Sequence, residues 1–117
     1  MNNFVKIKVG ITDEMIDDIL VTCFEGGSNY WITSVELKRQ AMEGRNLYNG
    51  YASHQISRGG LLWIHYDGES MSLTKNKVVL GCRKYAQHHG KFDFENFDAD
   101  DCDQILQYAL FSEIVYG

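Results

Sequence analysis

The chain has 117 residues, 44% hydrophobic and 23% charged, a size and balance that suit one globular domain over 1–117 with a single core. No stretch approaches the roughly 18 apolar residues a membrane span requires, and no basic region followed by a long apolar run opens the sequence, so no membrane partner is expected and the cytoplasm is the expected compartment. A formal charge of −5 and a pI near 5.2 argue against a strong phosphate-backbone binder, which leaves direct nucleic-acid binding unexpected.

Phe4–Ile11 alternates apolar and polar residues, with β-branched Val5, Ile7, Val9 and Ile11, and predicts a first strand. Thr12 is a candidate N-cap for a helix to about Phe24, carrying Met15, Ile16, Ile19, Leu20 and Cys23 at helical spacing, and Gly26-Gly27 is expected to stop it in the left-handed conformation. Ser28–Val35 is compatible with a short strand or an ordered loop. Glu36–Tyr51 mixes charges with Gly44, Asn46, Asn49 and Gly50, and is expected to be an irregular or partly helical surface insertion. A short helix over Tyr51–Arg58 should end at Gly59-Gly60, and Leu61–Tyr66 and Ser70–Leu73 should form a hairpin around Asp67-Gly68-Glu69. Thr74 can cap a helix to about His88 with Gly90 as its stop, and Asp98 can cap a last helix whose apolar face holds Cys102, Ile105, Leu106, Ala109 and Leu110. Few, short strands between helices predict an α+β fold, a small mainly antiparallel sheet packed with about three helices.

Catalytic signatures are sparse. The cysteines Cys23, Cys82 and Cys102 form no C-x-x-C pair and fall on apolar helix stripes, where a thiol behaves as a small hydrophobe. His54, His65, His88 and His89 show no metal-ligand spacing, so neither a metal nor a cofactor is expected. His88-His89 suits a helix C-terminus, His65 a strand ladder, and His54 lies closest to a polar, glycine-flanked cluster. No nucleophile elbow, phosphate loop or dinucleotide fingerprint is present, and no catalytic residue is assigned.

Two regions invite a functional reading. Asp93, Glu95, Asp98, Asp100, Asp101 and Asp103 place six carboxylates in eleven residues, which suits a solvated helix start first, then a charged partner surface, and last a cation site, since the loop glycine and terminal glutamate of an EF-hand are missing. The segments Glu25–Trp31 and Tyr51–Gly60 both join glycines to aromatic and amide side chains. Asn29, Tyr30, Trp31, His54, Gln55 and Arg58 are the candidate ligand-binding residues: aromatic planes for stacking, amides for polar edges, and a guanidinium for an oxyanion. Trp31 and Arg58 are expected on the rim of one pocket. The alternative is that the glycine pairs only stop helices while Tyr30 and Trp31 fill the core.

Ile11-Thr12-Asp13-Glu14-x-Ile16-Asp17-Asp18-Ile19, Glu25-Gly26-Gly27-x-Asn29-Tyr30-Trp31, Tyr51-Ala52-Ser53-x-Gln55-Ile56-Ser57-Arg58-Gly59-Gly60 and the ending Ile105-x-Gln107-Tyr108-Ala109-Leu110-Phe111-x-Glu113-Ile114-Val115-Tyr116-Gly117 make up most of the chain's distinctive text. In these motifs the chain resembles a family of short, largely uncharacterised bacteriophage and prophage proteins, although Lys38–Gly50 departs from the family pattern. The resemblance implies a protein acting in the cytoplasm of an infected bacterium and brings no assigned catalytic residues. The leading expectation is a non-enzymatic inhibitor of host defence that sequesters a small nucleotide-derived signal. The alternatives are a protein-binding, anti-CRISPR-like inhibitor whose acidic run mimics nucleic acid, and a small hydrolase built on His54 and a nearby acid. Tyr108, Phe111, Ile114, Val115 and Tyr116, five large groups in the last ten residues, further suggest a homodimer or higher homo-oligomer, or a final strand inside the monomer.

Overall fold

The computed structural model describes residues 10–117. The strand predicted over Phe4–Ile11 lies outside them except for Gly10 and Ile11, which have no regular structure. Helix α1 (Asp13–Thr22) starts where the sequence offers a cap: Thr12 Oγ1 accepts from the Met15 amide at 3.1 Å, and the carboxylates of Asp13 and Glu14 face the positive end of the helix. Its end differs from expectation. A π-helical turn, Cys23–Gly27, widens the helix, and Gly26 takes an extended φ of 168° instead of the left-handed conformation. Gly27 is confined for another reason, since a Cβ there would lie 3.0 Å from the Ala99 carbonyl oxygen and 3.2 Å from that of Thr22.

A loop over 28–33 leads into β1 (Ser34–Arg39), which pairs antiparallel with β4 (Leu61–Tyr66), itself paired with β5 (Glu69–Leu73) in the order β1-β4-β5. Asp67 and Gly68, at φ 47° and 73°, make the two-residue turn between β4 and β5, the doubly positive geometry that matches strand twist. The expected insertion over 36–51 is mostly extended: β1 runs to Arg39 through a bulge at Leu37/Arg39, and β2 (Met42–Glu43) and β3 (Asn46–Leu47) form a small separate hairpin. Gly44, at φ 62°, opens its turn. Mixed polar composition concealed these strands because their order comes from backbone pairing and not from a buried face, as the exposure of nearly every residue in β1, β2 and β3 shows.

One helical turn, α2 (Ala52–Gln55), continues as a 3-10 turn to Arg58 and stops at Gly59, whose φ of 92° is the left-handed cap the sequence predicts. Helix α3 (Lys75–His89) is capped by Thr74 and ended by left-handed Gly90, and α4 (Ala99–Phe111) starts in a reciprocal box between Asp98 and Asp101. Among the described residues the fold is α+β, with four α-helices, a three-stranded antiparallel sheet and the separate two-stranded hairpin. Leu62, Ile64 and Tyr66 of β4 point into one core with Ile16, Ile19 and Leu20 of α1, Val78 and Cys82 of α3, and Ile105 and Leu106 of α4. Helices α3 and α4 approach closely at Gly81 of α3, where a Cβ would lie 2.5 Å from the Ile105 carbonyl oxygen.

All three cysteines are buried and free. Burial pushes the Cys82 thiol up to about 12 and the Cys102 thiol up to about 11, and moves Cys23 upward as well, so these are core groups with little thiolate character. Among the described residues no helix is long and apolar enough to cross a membrane.

Candidate functional site

The Glu25–Trp31 motif is divided by its own geometry. From α1 the π turn swings the chain outward, leaving Glu25 and Asn29 exposed and sending Ser28 and Trp31 into the interior. On the outer side lies a groove of about 850 Å³. Val21, Phe24, Ile32 and Val35 give it an apolar base, Glu25, Asn29, Thr33 and Ser34 line it from the motif and the start of β1, and Tyr51, Ser53 and His54 line it from α2. Tyr51, 80% exposed, holds its ring edge-on to His54 with centroids 6.2 Å apart. Such a mixture, an apolar surface with a few converging polar groups, is the usual make-up of a small-molecule site.

On the inner side the same motif builds a hydrogen-bond hub around Asp103 of α4, a carboxylate only 3% exposed. Asp103 accepts from Ser28 Oγ at 2.7 Å, Trp31 Nε1 at 2.7 Å, Tyr30 Oη at 2.5 Å and Gln107 Nε2 at 3.0 Å. A buried charge is costly unless its lone pairs are filled, and here four donors fill them. The Gln107 amide also reads the chain end: Oε1 accepts from the amides of Val115 and Tyr116, both at 2.8 Å, and Nε2 donates to the Tyr116 carbonyl at 3.1 Å. Tyr116 stacks on Trp31, centroids 5.1 Å apart and planes within 4°, and its hydroxyl donates to Asp67 in the β4–β5 turn. Burial and the Asp103 carboxylate push the Tyr30 phenol up to about 12, so it remains a donor at neutral pH.

The six ligand-binding candidates therefore separate. Asn29 and His54 line one groove. Tyr30 exposes its ring while its hydroxyl is committed to Asp103. Trp31 is 6% exposed and belongs to the core. Gln55 is fully buried: Oε1 accepts from the Ala41 amide at 2.7 Å and Nε2 donates to the carbonyls of Tyr48 and Gly50, so this side chain fastens the β2–β3 hairpin. Arg58 pairs with Asp17 at 3.4 Å, donates to the His54 carbonyl at 3.0 Å and lies over the Tyr48 ring at 4.3 Å. The shared rim expected for Trp31 and Arg58 is not formed, because one satisfies a buried carboxylate and the other ties α2 to α1. Tyr51 and Glu25 are groove residues not among the six candidates, although each opens a segment already singled out.

The acidic run is likewise not one surface. Asp103 is withdrawn from it into the hub, which corrects its place in the proposed partner face. Asp98 and Asp101 cap α4, and Asp101 also accepts from Tyr85 Oη at 2.6 Å. Burial opposes ionisation of Asp101, but the bonds from Tyr85 and Asp98 outweigh it and hold the carboxyl below its ordinary range. Asp93, Glu95 and Asp100 remain exposed. Among the histidines, His89 stacks on Tyr85 at 4.1 Å, and His65 bridges Glu36 at 2.9 Å and Ser70 at 2.6 Å across the sheet. The described residues contain no group of three or more His, Cys, Asp or Glu placed to hold a metal ion. Of the five tail groups, Tyr108 is buried and Phe111 and Tyr116 pack against the core, while Ile114 and Val115 stay exposed; the segment after α4 is not a strand. Comparison of the chain with protein-family models, with curated proteins and with solved structures finds no match.

Proposed function

We propose that the protein is a non-catalytic binding protein that sequesters a small nucleoside-derived ligand in the groove between the Glu25–Trp31 motif and α2. The observation that carries this reading is the convergence of Asn29 and His54 over an apolar base, with the Tyr51 ring standing almost free beside them. A base can stack on that ring, the Asn29 amide offers both a donor and an acceptor to its polar edge, and Phe24, Ile32 and Val35 take up apolar surface. Asn29 lies between Ser28 and Tyr30, both tied to Asp103, so its backbone is held in place before any ligand arrives and less ordering entropy opposes binding. In an infected bacterium, the setting the family resemblance implies, retention of a nucleotide signal would blunt a host defence that depends on it.

The test is to incubate the purified protein with nucleotide extracts of infected, defence-active cells, wash it, heat-denature it and analyse what is released by mass spectrometry. An unchanged nucleoside-containing molecule is expected, absent from a Tyr51→Ala/Asn29→Ala variant that melts like the parent. A chemically altered product would replace sequestration with hydrolysis by His54 and Glu25, which line the same groove. Release of nothing, together with capture of one host protein, would end the groove reading and return attention to the exposed acids around Asp93 and Asp100.

A further inference from the structure

The groove has a chemical bias that narrows its ligand. Glu25 lines it and sits in the π turn that ends α1, at the helix terminus where unsatisfied carbonyls already accumulate roughly half a negative charge. Neither the last turn of α1 nor the π turn contains a basic residue to offset this. Among the described residues the groove lining contains no Lys or Arg, and the guanidinium closest in sequence to α2, that of Arg58, is engaged with Asp17, the His54 carbonyl and the Tyr48 ring. A carboxylate at the negative end of a helix, beside apolar lining residues, is a natural acceptor for N–H donors that a ligand brings.

We infer that the groove recognises its ligand through an edge of N–H donors delivered to the Glu25 carboxylate, and that any phosphate the ligand carries stays outside in solvent. The inference rests on the binding reading above and specifies its chemistry. An ionised carboxylate only accepts, through two oxygens, so it matches two adjacent N–H groups in the way it matches the fork of a guanidinium. Guanine, with N1–H beside the N2 amino group, presents that pair. Inosine keeps N1–H and loses the amino group, and uracil presents one N–H between two carbonyls that would face the carboxylate. With the base edge on Glu25 and its plane against Tyr51, the sugar, carried on the opposite side of the purine, points away from Glu25. A phosphate turned inward would instead meet the Glu25 charge and the end of α1 with no Lys or Arg among the described lining residues to oppose them.

Isothermal titration of the full chain with guanosine, inosine, uridine and guanosine monophosphate tests this. Guanosine should bind most tightly, inosine and uridine about tenfold or more weakly, the discrimination expected of a lost bidentate contact. The monophosphate should bind no better than guanosine. Glu25→Gln, at an exposed position, should melt no lower than the parent, lose about tenfold or more in guanosine affinity, and erase the preference over inosine. A monophosphate that outbinds guanosine, or a Glu25→Gln variant that binds guanosine as the parent does, would overturn the inference. If nucleoside binding still fell in Tyr51→Ala and Asn29→Ala, the proposed function would stand without it. No binding of any of the four probes would remove both.

Discussion

Two sites grow from one seven-residue motif and obey opposite rules. The hub takes Ser28, Tyr30 and Trp31 into contact with a buried carboxylate whose every contact is made within the chain. The groove takes Glu25 and Asn29, two and one residues from Gly27 and Ser28, and leaves their polar groups exposed. Side chains adjacent in sequence thus serve stability on one side and recognition on the other. The lesson is that a polar-aromatic motif should not be assigned to a ligand as a block: a group with all its hydrogen bonds satisfied internally has none to offer a partner.

The largest effect should come from the hub. Asp103→Asn keeps the shape but replaces an acceptor-only group with one that brings two N–H donors into a ring of donors: with Oδ1 kept for Ser28 and Trp31, the new amide nitrogen stands where Oδ2 accepted from Tyr30 Oη and Gln107 Nε2. A loss on the order of 3–5 kcal/mol is expected, read from urea unfolding, since unsatisfied buried polar groups cost about 1–3 kcal/mol each. A variant as stable as the parent would break the comparison, because the hub would then be dispensable.

The groove should behave in the reverse sense. Tyr51→Ala removes an 80% exposed ring, so its unfolding free energy should change by no more than about 0.5 kcal/mol. Its affinity for a stacked ligand should fall by about 1–3 kcal/mol. Matched melting and titration measurements check both, and a Tyr51→Ala protein that unfolds readily would mean the ring is structural after all.

The smallest effect contrasts a surface carboxylate with the buried one. The bond from His65, then that from Lys38, holds the Glu36 carboxyl below its ordinary value. Because the folded-state value is the lower one, this contribution is present above the unfolded value near 4.5 and fades as pH falls through and below it. Comparing thermal melts of Glu36→Gln and the parent, the small difference seen at pH 6 should vanish by about pH 3 and shrink in high salt. A difference that persists in acid would show that the contact is steric, not ionic.

Much of the fold was legible because its signals are local. Thr12, Thr74 and Asp98 are short side chains able to reach an amide three residues on, and Gly59, Gly68 and Gly90 have the positive φ that only a missing Cβ makes easy. The strands β1 to β3 were not legible, since exposed strands carry no apolar alternation to display. In the candidate site, Asn29 and His54 were identified from their glycine-bearing surroundings, while Trp31, Gln55 and Arg58 were grouped with them by chemistry alone. Asp103 and Gln107 did leave a trace, an i, i+4 polar pair bordering the stripe of Cys102, Leu106 and Leu110, but an acidic neighbourhood made Asp103 resemble a solvated charge.

By itself, then, the sequence determined the helices with their caps, the β4–β5 turn, the α+β class and the burial of the three cysteines, all of which follow from short-range sterics and hydrophobic periodicity. Only the tertiary structure decided which member of each motif faces inward. For the Glu25–Trp31 motif that choice rests on contacts more than 70 residues apart in the chain, from Ser28, Tyr30 and Trp31 to Asp103, and a hydrogen-bond partner at such a separation has no periodic mark in the sequence that would announce it.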